Sequence, residues 1–164
     1  MIRLNLLNVG MVEETGDILV ILQAPQAHRL LVIETGLLEG QAIALEAEGV
    51  RSERPLTQDL LFETITRLGA RVKEARIAEF RDETFFAKVV LTRLDGTADA
   101  VEIDARPSDA IALALRARAP ILVNPDVLKE TGIDEDRSGR FAPLYDDDDD
   151  DDDEDGDGGE RIVH

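Results

Sequence analysis

The sequence predicts an α+β domain: a mixed, largely antiparallel β-sheet with packed helices, followed by a disordered acidic C-terminal tail. Three observations carry this. Segments of strand character come first, then two helical segments, a strand meander, and finally helix, strand and helix, with no regular strand–helix–strand alternation. The chain has 164 residues and no cysteine, so one core of ordinary size holds it without disulfides. The net charge of −18 is concentrated at one end.

Each element has a local reason. Ile2–Met11 alternates weakly and reads as a strand. Asp17–Leu22 is a short apolar run between Gly16 and Pro25 and reads as a buried strand. Arg29–Glu34 is a third strand, joined to the second by the turn Ala24–His28. Thr35 is positioned to cap a helix running to about Glu48, with Leu38, Ala42 and Leu45 on one face and Gly49 as the stop. Gly40 inside that helix costs about 1 kcal/mol against Ala, which points to close approach of another backbone.

After the break RSERP (51–55), Thr57 is the expected N-cap of a second helix. Leu56 and Leu61 form a hydrophobic staple, and Leu60, Leu61, Ile65 and Leu68 form the apolar stripe. Arg71–Phe80 and Thr84–Thr92 are strands around the turn Arg81–Glu83, the second with Phe85, Ala87, Val89 and Leu91 on one face. A turn at Leu94–Thr97 leads to a strand at Ala100–Asp104. A helix follows at Pro107–Arg118, then a short apolar segment, Ala119–Val123, and a terminal helix from Pro125 to about Thr131. The predicted domain is 1–133 and the tail 134–164.

Residues 146–164 hold twelve acids against one base, Arg161, a net charge of −11; residues 1–145 hold 24 acids against 17 bases, or −7. A run such as Asp146–Asp153 repels itself and has nothing apolar to bury, so disorder is expected from about Asp134. An acidic body repels polyanions, so nucleic-acid binding is expected to be weak and local. Arg71, Lys73, Arg76 and Arg81 on one strand, with Arg116 and Arg118 at a helix end, are the cations that would carry it. Phe86 is expected to face away from the core, toward an oligomer contact or a base. No segment approaches the ~20 apolar residues of a membrane helix, and the first residues show no export pattern. A cytoplasmic protein is expected, with no membrane partner.

Two segments repeat one order of parts: RPLTQDLL from Arg54 and RPSDAIALAL from Arg106. Each sets Arg-Pro, a hydroxyl and an acid before an apolar helix. Proline suits the first helical position, Thr57 and Ser108 can accept a bond from a free amide, and Asp59 and Asp109 complement the positive helix end. All of that is helix punctuation. The arginines are not explained by it. Arg is the side chain for bidentate contact with carboxylate or phosphate. Arg54 and Arg106 therefore read either as ion-pair partners of nearby acids or as arms of anion pockets beside free helix amides.

Four segments, LEGQAIALEAEG (38–49), RPLTQDLL (54–61), DETFFAKV (82–89) and IDARPSDAIALALRARAPI (103–121), together resemble the bifunctional nuclease domain family over roughly residues 1 to 133. The resemblance implies an α+β fold, a homo-oligomer that is most simply a dimer, and nuclease activity on DNA and RNA. The family pattern has a histidine where this chain has Gln58, which cannot take a proton at neutral pH. Only His28 and His164 remain, so carboxylates holding Mg²⁺ or Mn²⁺ are the expected route. Glu39, Asp59, Asp104 and Asp109 are the candidate metal ligands. Asp59, Asp109, Arg54 and Arg106 are the candidate catalytic residues, and the two arginines with Thr57 and Ser108 would hold the phosphate. The competing reading is a non-catalytic oligomeric regulatory or scaffold domain that binds a small anionic ligand or a protein partner. The nuclease reading expects the two arginine–acid corners to meet around one hollow.

Overall fold

The computed structural model describes residues 1–96 and 100–135. Its elements are β1 (Ile2–Met11), β2 (Ile18–Ala24), β3 (Arg29–Thr35), α1 (Leu37–Ala47), α2 (Thr57–Arg67), β4 (Ala70–Arg81), β5 (Thr84–Arg93), β6 (Val101–Ala105), α3 (Pro107–Ala117), β7 (Ile121–Val123), α4 (Pro125–Thr131) and β8 (Ile133–Asp134). The α+β class and the largely antiparallel sheet are as the sequence predicts.

The eight strands form one sheet in the order β6-β5-β4-β7-β1-β2-β3-β8. Local hairpins build β1–β3 and β4–β6 as two antiparallel units. The three-residue β7 joins them. It pairs antiparallel with β1, Leu4 opposite Ile121, and parallel with β4, Ala75 opposite Ile121. This is the one parallel pairing among the described residues, and β5, β6 and α3 supply the long connection that it needs.

The end of the domain is a correction. Asp134, expected to open the tail, lies in β8 on the edge of β3. Arg29 is the reason. Its guanidinium donates to the carbonyls of Leu128, Lys129 and Gly132 at the end of α4 and pairs with Asp134 at 3.2 Å. The Glu135 amide then donates to the His28 carbonyl at 3.0 Å. The rest of the predicted tail lies outside the described residues.

The helix faces also differ from expectation. Gly36, not Thr35, caps α1. Its inward residues are Gly40, Ala42 and Ile43, while Leu38 is 76% exposed. A Cβ built on Gly40 would stand 2.5 Å from the Ile18 side chain. The close approach is thus to a β-branched side chain of β2 rather than to backbone. In α2, Thr57 is the first helical residue and Leu56 the cap. Ile65 is buried and Phe62 half-buried, while Leu60, Leu61 and Leu68 of the predicted stripe are exposed. Asp59 occupies the inward face in their place.

α3 is buried from Ala110 to Ala114, as its Ala-rich sequence suits, and it packs against α1, α2, β4 and β5. Arg106 is its N-cap residue; Ser108, expected in that role, is buried within the first turn. Phe86, expected to face outward, is half-buried with the Arg81 guanidinium 4.2 Å from its ring centre.

Candidate functional site

α3 carries a guanidinium–carboxylate cluster at each end. At the start, Pro107 fixes the backbone so that Arg106 leaves β6 extended (φ −67°, ψ 148°) just before the helix. From there its side chain reaches two acids. Nε donates to Asp109 Oδ2 at 2.8 Å and Nη2 to Asp109 Oδ1 at 3.3 Å, while Nη1 donates to Glu39 Oε1, on α1, at 2.7 Å. Arg106 is 63% exposed, Glu39 25% and Asp109 32%, so the cluster is open to solvent. A backbone hydrogen bond and the Arg106 guanidinium hold the Glu39 carboxyl below its ordinary range. The two acids in turn raise Arg106 further above its own, Asp109 contributing most.

At the other end, Arg116 is sealed: its side chain is 4% exposed. Nε donates to Asp59 Oδ1 at 2.6 Å, and Nη1 donates to the carbonyls of Ala112 and Ala42 at 3.0 and 3.3 Å. The second Asp59 oxygen accepts the Leu56 amide at 2.8 Å, closing the start of α2. Burial pushes the Asp59 carboxyl upward, but the bonds from Arg116 and Leu56 outweigh it and hold the group below its ordinary value. One side chain thus pins α1, α2 and α3. A cavity of about 410 Å³ adjoins it, lined by Glu46, Arg51, Asp59 and Phe62 among others.

The sequence-predicted residues therefore separate. Asp109 and Arg106 meet, and Glu39 joins them. Asp59 pairs with Arg116 rather than with Arg54. Arg54 is exposed with no ion pair among the described residues, and Thr57 is exposed on the first turn of α2. Asp104 is exposed on β6, opposite Lys88, whose ammonium bonds Glu102 instead. Arg106 and Arg116 are ten residues apart on one helix, roughly 15 Å along its axis, so the two clusters do not enclose a common hollow.

Arg116 is the residue that sequence reasoning assigned only to a basic helix end. Its signal was available: positions 108, 112 and 116 fall on one helical stripe, and the first two are Ser and Ala in a buried run. A guanidinium on an inward stripe demands an acid, and Asp59 supplies it.

The donors do not fit Mg²⁺ or Mn²⁺ as they stand. Such ions take several oxygen ligands around one point. No group of three His, Cys, Asp or Glu side chains is gathered for one among the described residues. Glu39 and Asp109 both turn oxygens toward a guanidinium that would repel a cation, and Asp59 does the same at the far end.

Fold and site together define an α+β domain organised around one buried helix, with an open arginine held between two carboxylates at its start. The chain belongs to the bifunctional nuclease domain family, which matches residues 20–136. It is 40% identical to an uncharacterized protein of Mycobacterium tuberculosis over 69% of this chain and 65% of that one. It is 32% identical to bifunctional nuclease 2 of Oryza sativa and 29% identical to bifunctional nuclease 1 of Arabidopsis thaliana. Each plant match covers 73% of this chain and 40% of the plant protein. The chain thus spans under two thirds of these relatives. No helix among the described residues is long and apolar enough to cross a membrane.

Proposed function

We propose that the chain hydrolyses phosphodiester bonds of nucleic acid, DNA and RNA alike, at the open start of α3. One arrangement carries the reading: Arg106 between Glu39 and Asp109, all three reachable from solvent. A guanidinium offers paired donors to a phosphate. An entering phosphodiester takes over donors now given to the carboxylates, and Arg106 opposes the charge that builds on its non-bridging oxygens. The carboxylate so released, on Asp109 or Glu39, accepts a proton from the water whose oxygen attacks phosphorus. The bond to the leaving oxygen breaks, and that oxygen takes a proton from solvent. Family membership and the names of the plant relatives support this class of reaction. The lack of cysteine suits a reducing, cytoplasmic setting.

The test is labelled single-stranded DNA and RNA incubated with purified chain in Mg²⁺, in Mn²⁺ and in EDTA, beside Arg106→Gln. Loss of one donor to the charged phosphate is expected to lower cleavage by about a hundredfold or more, with the thermal midpoint held. Cleavage that survives EDTA assigns the proton transfer to the carboxylates alone. Cleavage lost in EDTA rejects proton transfer by these carboxylates alone. Equal cleavage by Arg106→Gln rejects the site.

The exposed leucines of α2 favour a second reading. Leu60, Leu61 and Leu68 give an apolar outer face suited to a second copy or a protein partner. The chain is then a non-catalytic, oligomeric scaffold or regulatory module. A chain that assembles but cleaves nothing in any of these buffers supports this alternative.

A further inference from the structure

Most of the cations among the described residues are spoken for. The described residues hold fifteen Lys and Arg, and nine of them form ion pairs. The other six are Arg3, Arg54, Arg71, Lys73, Arg118 and Lys129. Three of these six, Arg71, Lys73 and Arg118, line one pocket of about 520 Å³ between β4, α2 and the end of α3. No acid among the described residues lines it, although those residues hold 22 Asp and Glu. Scarcity of carboxylates among those residues does not explain three cations left together without one of them.

Two backbone features single out two of the three. Arg118 ends α3 in the left-handed region, at φ 51°, with its amide bonded to the Leu115 carbonyl and the Ala119 amide to that of Ala114. Helices usually place Gly at such an end, because any side chain there is strained. An arginine in its place forms no ion pair among the described residues. The pairing of β4 with β5 also skips at Lys73, which lies between the paired residues Val72 and Glu74. A bulge of this kind re-aims a side chain. The half-buried ring of Phe62 supplies apolar surface beside the cations.

We propose that Arg71, Lys73 and Arg118 hold the phosphates of a single strand of nucleic acid, at a subsite distinct from the Arg106 cluster, with Phe62 against a sugar or base. The inference rests on the reading that the chain acts on nucleic acid. Three guanidinium or ammonium groups around one pocket suit the repeating charge of that backbone, and an apolar ring suits what lies between phosphates.

The test uses the full chain and a labelled phosphorothioate single strand, followed by fluorescence anisotropy over a salt series. Arg71→Gln, Lys73→Gln and Arg118→Gln combined are expected to weaken binding at least tenfold at low salt. They also reduce the slope of log affinity against log salt by about two, the value for roughly three released counterions on a single strand. Arg118→Gly alone is expected to weaken binding several-fold while its thermal midpoint stays level or rises, which damage to the fold would not produce. Unchanged affinity and slope in the triple variant overturn the proposal, as does a wild-type chain that binds no strand at low salt. Cleavage of natural strands is scored separately. A chain that binds through this pocket but cuts nothing sinks the nuclease reading and leaves the subsite standing. A chain that cuts with an unaltered salt slope in the triple variant does the reverse.

Discussion

Arg116 on the last turn of α3 and Asp59 on the first turn of α2 meet at 2.6 Å, the arginine side chain 4% exposed and the aspartate 29%. The contact spans 57 residues of chain, and it sets which face of α2 turns inward. Ile65 and Phe62 follow Asp59 toward the core, and three leucines are left outside.

Removing the guanidinium leaves Asp59 beside a void and takes from the Ala42 and Ala112 carbonyls the side-chain donor they accept besides their helical amides. Arg116→Ala is therefore expected to lower stability by about 3 kcal/mol, near the lower end for broken buried pairs because Asp59 keeps some solvent. Arg116→Lys restores the charge but not the fork, and recovers only part. Urea unfolding read by circular dichroism checks both, and a change under about 0.5 kcal/mol in Arg116→Ala, no more than a surface substitution gives, contradicts the account.

The same pair makes stability depend on acid. The folded chain holds Asp59 below its ordinary value of 3.8 despite burial, so the unfolded chain binds that proton first. The stabilisation is complete above that value and drains as pH falls through it toward the folded pKa. Asp59→Asn is expected to be less stable than the wild type at neutral pH, with the gap narrowing as the pH falls below 3.8. Unfolding free energies at several pH values measure the gap. A difference constant with pH shows that Asp59 does not titrate in this way.

Gly40→Ala is expected to destabilise although alanine is the better helix former. The gain in propensity is about 1 kcal/mol. The new methyl group would stand 2.5 Å from Ile18, and overpacking of this kind costs about 1–3 kcal/mol. Ile18→Ala opens the space, so Gly40→Ala should do less harm in that background than alone. A double-mutant cycle on thermal midpoints reads the coupling, and additive effects would refute the contact.

Deleting residues 144–164 removes twelve acids and one arginine, a net charge of −11. The proposed strand-binding pocket then loses a tethered polyanion that competes for it and repels its ligand. Affinity for a short single strand is expected to rise at low salt and to converge with that of the full chain at high salt. Equal affinities at low salt would show that the tail plays no such part.

Local patterns carried a large share of the reading. The hairpins were legible because alternation and turn residues act within a few positions, and β5 buries Ala87 and Val89 as its alternation predicted. The Arg106–Asp109 contact was legible too, since residues three apart at a helix start share a face. The Glu39 partner of Arg106 lies 67 residues away and left no local trace. In α2 local pattern misled, because Leu60, Leu61, Ile65 and Leu68 make as good a stripe as the one that is buried.

By itself the sequence determined the order and kind of every element but β8, the α+β class and the strongly acidic end, for these follow from propensity, periodicity and charge along the chain. Only the tertiary structure decided that β7 joins the two halves of the sheet, that Asp59 answers Arg116 rather than Arg54, and that Arg71, Lys73 and Arg118 line one pocket. Those outcomes depend on distance through space. A guanidinium taken out of water accepts whichever carboxylate the packing brings within about 3 Å, and nothing in the spacing along the chain says which one that is.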